Sequence, residues 1–452
     1  MNASLIGKYN KPGPRYTSYP TAVQFSELDT DEHLDYLKKR NRSPKDISVY
    51  IHLPFCAKLC WYCGCTTVIT RKNDQAEVYL DRLEEEIKHL SELLHPNHTV
   101  KQIHYGGGTP TFMTPVQLRR LGKTLHRYLN IDLKAEFGVE LDPRTFSQEH
   151  LEALLEGGMN RASLGLQDVN EEVQKAIHRI QPVSMVHKSM DILRRVGIRS
   201  VNLDVIYGLP LQTPERFQNT LESIASLQPD RVAIYSYAHV PWMKPAQKLL
   251  REEDLPTPEE KMNLLTMAGA FMDKIGFTHI GMDHFARPTD ELSIALENGT
   301  LQRNFQGYST QAGLDLYGLG MSSISSVGNR YFQNVKELND WHEKIGKNGH
   351  AWSRGLVLTR EDELRREIIM KIMCSRGLNF REIWDKWYIN PKQHFAEALE
   401  ALKPMEEDGI VKTDQHGITI PPEGRLFLRN IAMAFDPYLK KKSDKPVYSK
   451  TV

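Results

Sequence analysis

ISVYIHLPFCAKLCWYCGC, residues 47–65, is the stretch on which the reading of the chain turns. Its first seven residues alternate apolar with polar, the period of a strand. Four of the five cysteines in the 452-residue chain follow, spaced Cys56-x3-Cys60-x2-Cys63-x-Cys65, while Cys374 stands alone. A disulfide framework spreads its cysteines to close loops, so this clustering points to a metal centre. Iron–sulfur clusters are held by thiolates, and short spacings let one loop wrap several corners of the cube. Three ligands leave one iron open, and an open position separates a reactive metal centre from a structural one. The amino and carboxylate groups of a methionine moiety can chelate such an iron. Zinc is the main competitor, but structural zinc sites use separated ligand pairs, and no distant Cys-x2-Cys exists here. Four metal-free buried thiols are the plainest alternative; free cysteines are rarely clustered this way.

Outward from this stretch, strands alternate with helices. Strands are expected at 47–53, 100–105, 136–141, 161–166, 200–206 and 231–237, with helices at 74–94, 114–129, 147–156, 171–196 (broken at Pro182) and 214–227. Regular βα alternation implies a parallel sheet with helices outside it, either open or closed toward a barrel. Polar groups gather where successive strands end: Glu140 and Asp142, Gln167 and Asp168, Asp204, Tyr235 and Tyr237. In a βα barrel those ends converge on the face that carries active sites. Polar residues are also common wherever a strand gives way to a loop, but here the carboxylates follow apolar strand residues directly, which favours convergence.

The flanks are of a different texture. Residues 11–20, KPGPRYTSYP, should be extended, with no helical periodicity before a short helix near 31–40 and no evident core role for the arm. Residues 318–326, GLGMSSISS, are small and turn-rich, a place where backbone can approach a ligand. Helices at 361–373 and 395–407 and a hairpin over 410–420 form a winged-helix-like end, followed by a basic, mobile tail. The expected domains are an arm and short helix at 1–46, a catalytic domain at 47–350, a C-terminal domain at 351–438, and the tail at 439–452. With 58 basic against 57 acidic residues, no nucleic-acid partner is expected. No apolar run suggests a signal peptide or a membrane span, so the cytoplasm is the expected location. His104 is read as a packed strand histidine and Cys374 as a core thiol.

A second motif, YGGGTP at 105–110, ends the second strand; glycines there let backbone groups reach a ligand. Cys-x3-Cys-x2-Cys after the first strand, with Tyr62 before Cys63 and this glycine motif, resembles the radical S-adenosylmethionine (SAM) superfamily. Within it, the chain resembles the oxygen-independent coproporphyrinogen III oxidase family along nearly its whole length. The matching segments are GPRYTSYPTA, YIHLPFC through CGC, GGGTPT, VELDPR, SLGLQD, IYGLP, IGMDHFARP, RNFQGY and GRLFLRN.

The resemblance implies an α/β fold: a partial (β/α)6 TIM-like barrel of the radical SAM type with an N-terminal arm and a mostly helical, winged-helix-like C-terminal domain. It implies one 4Fe–4S cluster on Cys56, Cys60 and Cys63, with Cys65 in the motif but not on iron. It also implies two SAM molecules, one meeting Tyr50, the Tyr62 backbone, Gly107, Glu140 and Arg179. The other meets Gly108, Thr109, Gln167, Asp204, Ala238 and Ile324. Carboxylates suit the ribose hydroxyls and cationic groups of SAM. The implied reaction is oxidative decarboxylation of the ring A and B propionates of coproporphyrinogen III to vinyl groups, by a 5′-deoxyadenosyl radical. No side chain need act as acid or base, so no catalytic residue is assigned. The implied partners are the porphyrinogen and a low-potential electron donor such as flavodoxin or ferredoxin, with the chain a monomer. Arg15, Arg161, His284, Arg287 and Arg303 are candidates for the propionates, since arginine forks match carboxylates. Competing readings are a haem-binding chaperone of the same family, another radical SAM enzyme acting on a tetrapyrrole, and a redox-sensing DNA-binding regulator. Cys65 and the GPRYTSYPTA arm count against the chaperone. The near-zero charge and the acidic Glu406-Glu407-Asp408 beside the hairpin count against the regulator.

Overall fold

The computed structural model describes residues 3–440 and 448–451. Six strands lie side by side in chain order, all parallel: β1 (Asp46–Leu53), β2 (Thr99–Gly107), β3 (Ile131–Leu141), β4 (Arg161–Gln167), β5 (Ser200–Tyr207) and β6 (Arg231–Ser236). Between them run helices Asp74–Leu93, Pro115–Tyr128, Gln148–Glu156, Val183–Arg195 and Pro214–Leu227. β1 is buried along nearly its whole length, because helices cover one face of the strand and barrel-interior side chains fill the other. Side-chain caps start three of these five helices. Thr114 and Gln117 form a reciprocal capping box, and the Ser147 and Thr213 hydroxyls accept from the first turns of theirs. The expected break near Pro182 is present: Glu171–Ala176 ends, His178 turns left-handed, and Val183–Arg195 begins.

The sheet extends well beyond these six strands. Among the described residues it has 13 strands, with Asp315–Leu319 parallel to β1 and then Ile324–Val327, Arg330–Asn334, Trp352–Val357 and Ser26–Glu27 antiparallel. Beyond β6, His284–Ala286 and Thr278–Gly281 add antiparallel. The end strands do not pair with each other, so the barrel is partial. The stretch 318–326 is two sheet strands joined by a buried corner. A Cβ on Gly318 would stand 2.7 Å from the Ile324 carbonyl oxygen, so its close approach is to the protein's own backbone.

The C-terminal part has the expected winged-helix-like order, completed by a short strand and further helices. Helix Arg360–Cys374 leads to strand Gly377–Asn379 and helices Phe380–Trp387 and Ala396–Glu407. Lys412–Thr413 and Gly417–Thr419 then form the hairpin, to which Gly377–Asn379 adds a third strand. Two expectations for the arm are corrected. Ala3–Tyr9 is helical, too short to show periodicity and held by tertiary contact: Tyr9 meets Phe427 edge-on at 5.7 Å. The arm also has a core role. Tyr16 and Tyr19 are fully buried in the apolar core of the C-terminal domain beside Ile368, Ile372 and Phe435. The tail returns as well. The Thr451 amide donates to the Lys11 carbonyl at 2.8 Å and Lys450 bridges Pro12, while residues 441–447 of the expected mobile tail lie outside the described residues. Among the described residues no helix is long and apolar enough to cross a membrane.

Candidate active site

β1 runs out at Leu53 and the chain turns into the cysteine loop. Phe55–Cys56 pairs in parallel with Val68–Ile69 and so closes the loop at its base. The Cys63 amide donates to the Cys60 carbonyl at 3.0 Å, and the Trp61 amide anchors the loop to the Ile177 carbonyl, also at 3.0 Å. Cys56, Cys60, Cys63 and Cys65 all line one cavity of about 280 Å³ at the C-terminal ends of β2 to β6. Donors point at the sulfurs. Arg144 Nη2 and Arg179 Nη1 reach Cys60 Sγ at 3.5 and 3.8 Å, and the Cys65 amide reaches Cys63 Sγ at 3.4 Å. The Cys56 thiol shares a hydrogen bond with the Thr109 hydroxyl at 3.2 Å. The hydrogen bond from Cys65, then the Lys244 and Arg179 cations, hold the Cys63 thiol below its usual range, and burial pushes Cys56 up to about 11. The donor set fits a cluster: the Cys56, Cys60 and Cys63 thiols stand round one volume that Cys65 also lines, with N–H groups and cations to offset thiolate charge. Among the described residues no three metal-ligating side chains close on a single point, whereas a cubane asks its thiolates to stand apart, one per iron.

The other walls come from strand ends. Gly107, Gly108 and Thr109 line the cavity. Gly107 sits at φ +114°, where a side chain is strained, and a Cβ there would stand 2.6 Å from the His52 ring. Glu140 accepts from the Gly107 amide at 3.2 Å and from His104 at 3.4 Å. Burial opposes its ionisation, but His104 and the Gly107 amide outweigh that and keep the carboxyl below its ordinary value. Asp204 is placed differently. It accepts from Ser163 at 2.8 Å and Asn202 at 2.9 Å, with no cation, and burial pushes it up to about 6. Gln167, in left-handed backbone at a bulge on β4, lies beside Arg179 over Gly165. Arg179 is inserted by the break after Glu171–Ala176 and bonds Asp142 at 3.2 Å and the Gly165 carbonyl at 3.1 Å. Tyr62 lines the same cavity. Two carboxylates, Glu140 backed by His104 and Asp204 held by neutral donors, face a thiol-lined cavity and can receive hydroxyls and cationic groups of a bound cofactor.

Tyr50, Ala238 and Ile324 stand outside this cavity. Tyr50 supports it from below, stacked on His104 at 5.9 Å and bonded to His52 at 3.1 Å. The Ala238 carbonyl is tied through Gln247 to that of Tyr62, at 3.2 and 3.3 Å. Ile324 packs with Phe25, Tyr331 and Phe305 on the flanking strands. The candidate substrate cations divide into two groups. Arg15 pairs with Asp283 and lies over Tyr235 at 5.5 Å, and His284 and Arg303 gather round the same ring system. Arg161 opens β4 and pairs with Glu136 at 3.0 Å, and Arg287 donates to the Pro229 carbonyl at 3.0 Å, so both sit at the opposite strand ends. Sequence reasoning passed over Arg144 and Asp283, although the segments VELDPR and IGMDHFARP contain them.

A partial barrel with a cysteine-lined cavity and a glycine turn at its mouth defines a radical SAM protein. Residues 50–224 match the Radical SAM superfamily and residues 358–427 the HemN C-terminal domain. The chain is 44% identical over 450 residues to the oxygen-independent coproporphyrinogen III oxidase of Escherichia coli, covering 99% of this chain and 98% of that one. It is 42% identical to that of Helicobacter pylori, covering 96% of each. The solved structure of coproporphyrinogen III oxidase (HemN) from Escherichia coli, described as a radical SAM enzyme, matches at TM-score 0.92 and 42% identity, over 97% of this chain and 99% of that one. The chain belongs to the oxygen-independent coproporphyrinogen III oxidase family.

Proposed function

We propose that this chain is an oxidoreductase that converts coproporphyrinogen III to protoporphyrinogen IX without oxygen, turning the ring A and B propionates into vinyl groups. One observation carries the reading: Cys56, Cys60 and Cys63 share a cavity with Glu140, Arg179 and Asp204 at the barrel mouth. When bound, the cluster and SAM supply the 5′-deoxyadenosyl radical that takes hydrogen from a propionate. The residues of this chain bind, orient and shield. Arg144 and Arg179 brace Cys60. Glu140 and Asp204 offer carboxylates to amino, sulfonium and ribose groups of SAM. Arg15 and Arg303 carry positive charge beyond Tyr235 for propionates, with His284, held neutral by burial, packed between them. Two SAM molecules are bound, as the family resemblance implies, the second toward Asp204, Ala238 and Ile324. The enzyme works as a cytoplasmic monomer and takes electrons from a low-potential donor such as flavodoxin or ferredoxin.

The test is an anaerobic assay with reconstituted cluster, a low-potential reductant, SAM and coproporphyrinogen III, with Cys60→Ser as control. Protoporphyrinogen IX formed in a SAM-dependent way and lost in the control is the expected result. Tight haem binding without turnover would replace this reading with the chaperone, and SAM cleavage without porphyrinogen conversion would send the radical to another tetrapyrrole.

A further inference from the structure

Cys56 is shared between two hollows. On one side lies the cluster cavity, and on the other a recess of about 230 Å³ beyond the ends of β2 and β3. Lys58, Phe112, Arg144, His178 and Ile180 line the recess, and the exposed Lys58 and Ile180 mark where it meets the surface. The wall between the two is thin: Thr109, Asp142 and Arg144 line both, as Cys56 does. The rim is fixed to the cysteine loop. His178 stacks on Trp61 at 5.1 Å, and its Nδ1 donates to the Leu59 carbonyl at 2.8 Å. The candidate propionate cations lie elsewhere, past Tyr235 on β6 and farther along the sheet.

The rim combines free positive charge with exposed aliphatic surface. Ile180 is 59% exposed, and Ile69, paired with Cys56 at the base of the loop, is 43% exposed. Lys58, Arg71 and Lys72 are exposed, and among the described residues none of the three is in an ion pair. The neighbouring acids are engaged. Asp142 holds Arg144 at 2.6 Å and Arg179 at 3.2 Å, and Glu171 and Glu172 hold Lys175 at 2.8 and 3.3 Å. Asp74 opens a helix whose positive end offsets it. Transient redox partners meet over small interfaces, below about 1,200 Å², and opposite charge steers the encounter.

We propose that this rim is the docking face for an acidic, low-potential one-electron carrier protein, which delivers its electron across the Cys56 wall. The inference rests on the function proposed above and adds the place where the donor binds. In each encounter the carrier loses one electron and the 4Fe–4S cluster gains it, and no atom is transferred. The donor approaches at Cys56 and the porphyrinogen past Tyr235, so one does not block the other.

The experiment is a calorimetric titration of the cluster-reconstituted full chain with oxidised flavodoxin, an acidic flavin carrier. It is paired with stopped-flow reduction of the cluster by reduced flavodoxin or by photoreduced deazaflavin, a small reductant that needs no docking face. The double variant Lys58→Glu, Lys72→Glu is expected to raise the Kd about tenfold or more and to slow reduction by flavodoxin to match. Its cluster absorbance and its reduction by deazaflavin should equal the parent's. Ile180→Ser should raise the Kd several-fold, and Lys392→Glu, on the C-terminal domain, should leave it unchanged. The parent's affinity should fall as salt rises, and the double variant should lose that dependence. A double variant that binds as tightly as the parent overturns the docking face and leaves the proposed function standing. So does a parent whose cluster deazaflavin reduces but which does not bind flavodoxin. A parent that binds flavodoxin at this face yet converts no coproporphyrinogen supports the face and overturns the proposed function.

Discussion

Arg179 Nη1 stands 3.8 Å from the Cys60 sulfur and 3.2 Å from Asp142 Oδ2, so one buried guanidinium braces the Cys60 thiol and a strand-end carboxylate together. The arrangement depends on a local accident of chain direction. Glu171–Ala176 stops, His178 turns left-handed and bonds the Leu59 carbonyl, and the next residue is delivered to the cavity. Cluster potentials follow net charge and hydrogen bonds to sulfur. Arg179→Gln removes a positive charge and an N–H donor, while Asp142 keeps Arg144 at 2.6 Å. The reduction potential should move negative, toward harder reduction, in an EPR-monitored titration. An unchanged or more positive potential would show that the contact does not tune the cluster.

Asp204 has no cation and is raised by burial to about 6. At neutral pH it is ionised and needs a positive or hydroxyl-bearing partner to offset the desolvation. A cationic ligand held there requires the carboxylate, so its affinity should fall as pH drops through about 6. Asp204→Asn should weaken SAM binding about tenfold at pH 7.5 and flatten that dependence. Equilibrium dialysis at pH 5.5 and 7.5 measures both; a variant with the same pH profile as the parent would remove Asp204 from the site.

Tyr16 is buried to 1% exposure and donates to Asp436 at 3.0 Å. It pins the arm into the C-terminal core, where Arg429 also donates to the Gly13 and Pro14 carbonyls. Tyr16→Ala should cost about 3–5 kcal/mol, as large-to-small changes at buried aromatics do. Tyr16→Phe should cost about 1–2 kcal/mol for the lost hydrogen bond. Denaturant midpoints of the two variants test the order, and equal, negligible losses would mean the arm is not part of the folding unit.

The barrel was legible because its signals are local and periodic. Alternation named β1, and the regular return of strand after helix placed the elements that follow it. The cluster thiols and the carboxylates Glu140 and Asp204 were legible because βα topology sends strand ends to one face. What sequence hid is long-range. Tyr16 and Tyr19 read as a polar-edged extended arm, and only the C-terminal core that closes over them makes them interior. The flat stretch 318–326 became sheet because β1 offered a free edge, which no local pattern announces. Arg144 went unnoticed because its partner sulfur, on Cys60, lies 84 residues away.

Glu86 belongs to that hidden class. It lies on the buried face of helix Asp74–Leu93 and is 3% exposed. Its carboxylate accepts from the Gly320 amide at 2.7 Å and from Asn334 Nδ2 at 2.6 Å, tying the corner between two sheet strands to the helix. Burial raises it to about 7, the two hydrogen bonds only partly opposing. A carboxyl with a folded value above its unfolded one binds more protons in the native state. Stability should therefore fall as pH rises from about 4.5 to about 7 and stay low above that, by up to about 3 kcal/mol from this group. Glu86→Gln cannot ionise. It should lose about 1 kcal/mol at pH 5, where the parent is protonated and better hydrogen-bonded, and match or exceed the parent at pH 8. Thermal melts of both proteins across this range decide the matter: a stability gap that closes as pH rises is expected, and a constant gap would mean that Glu86 does not titrate near neutrality.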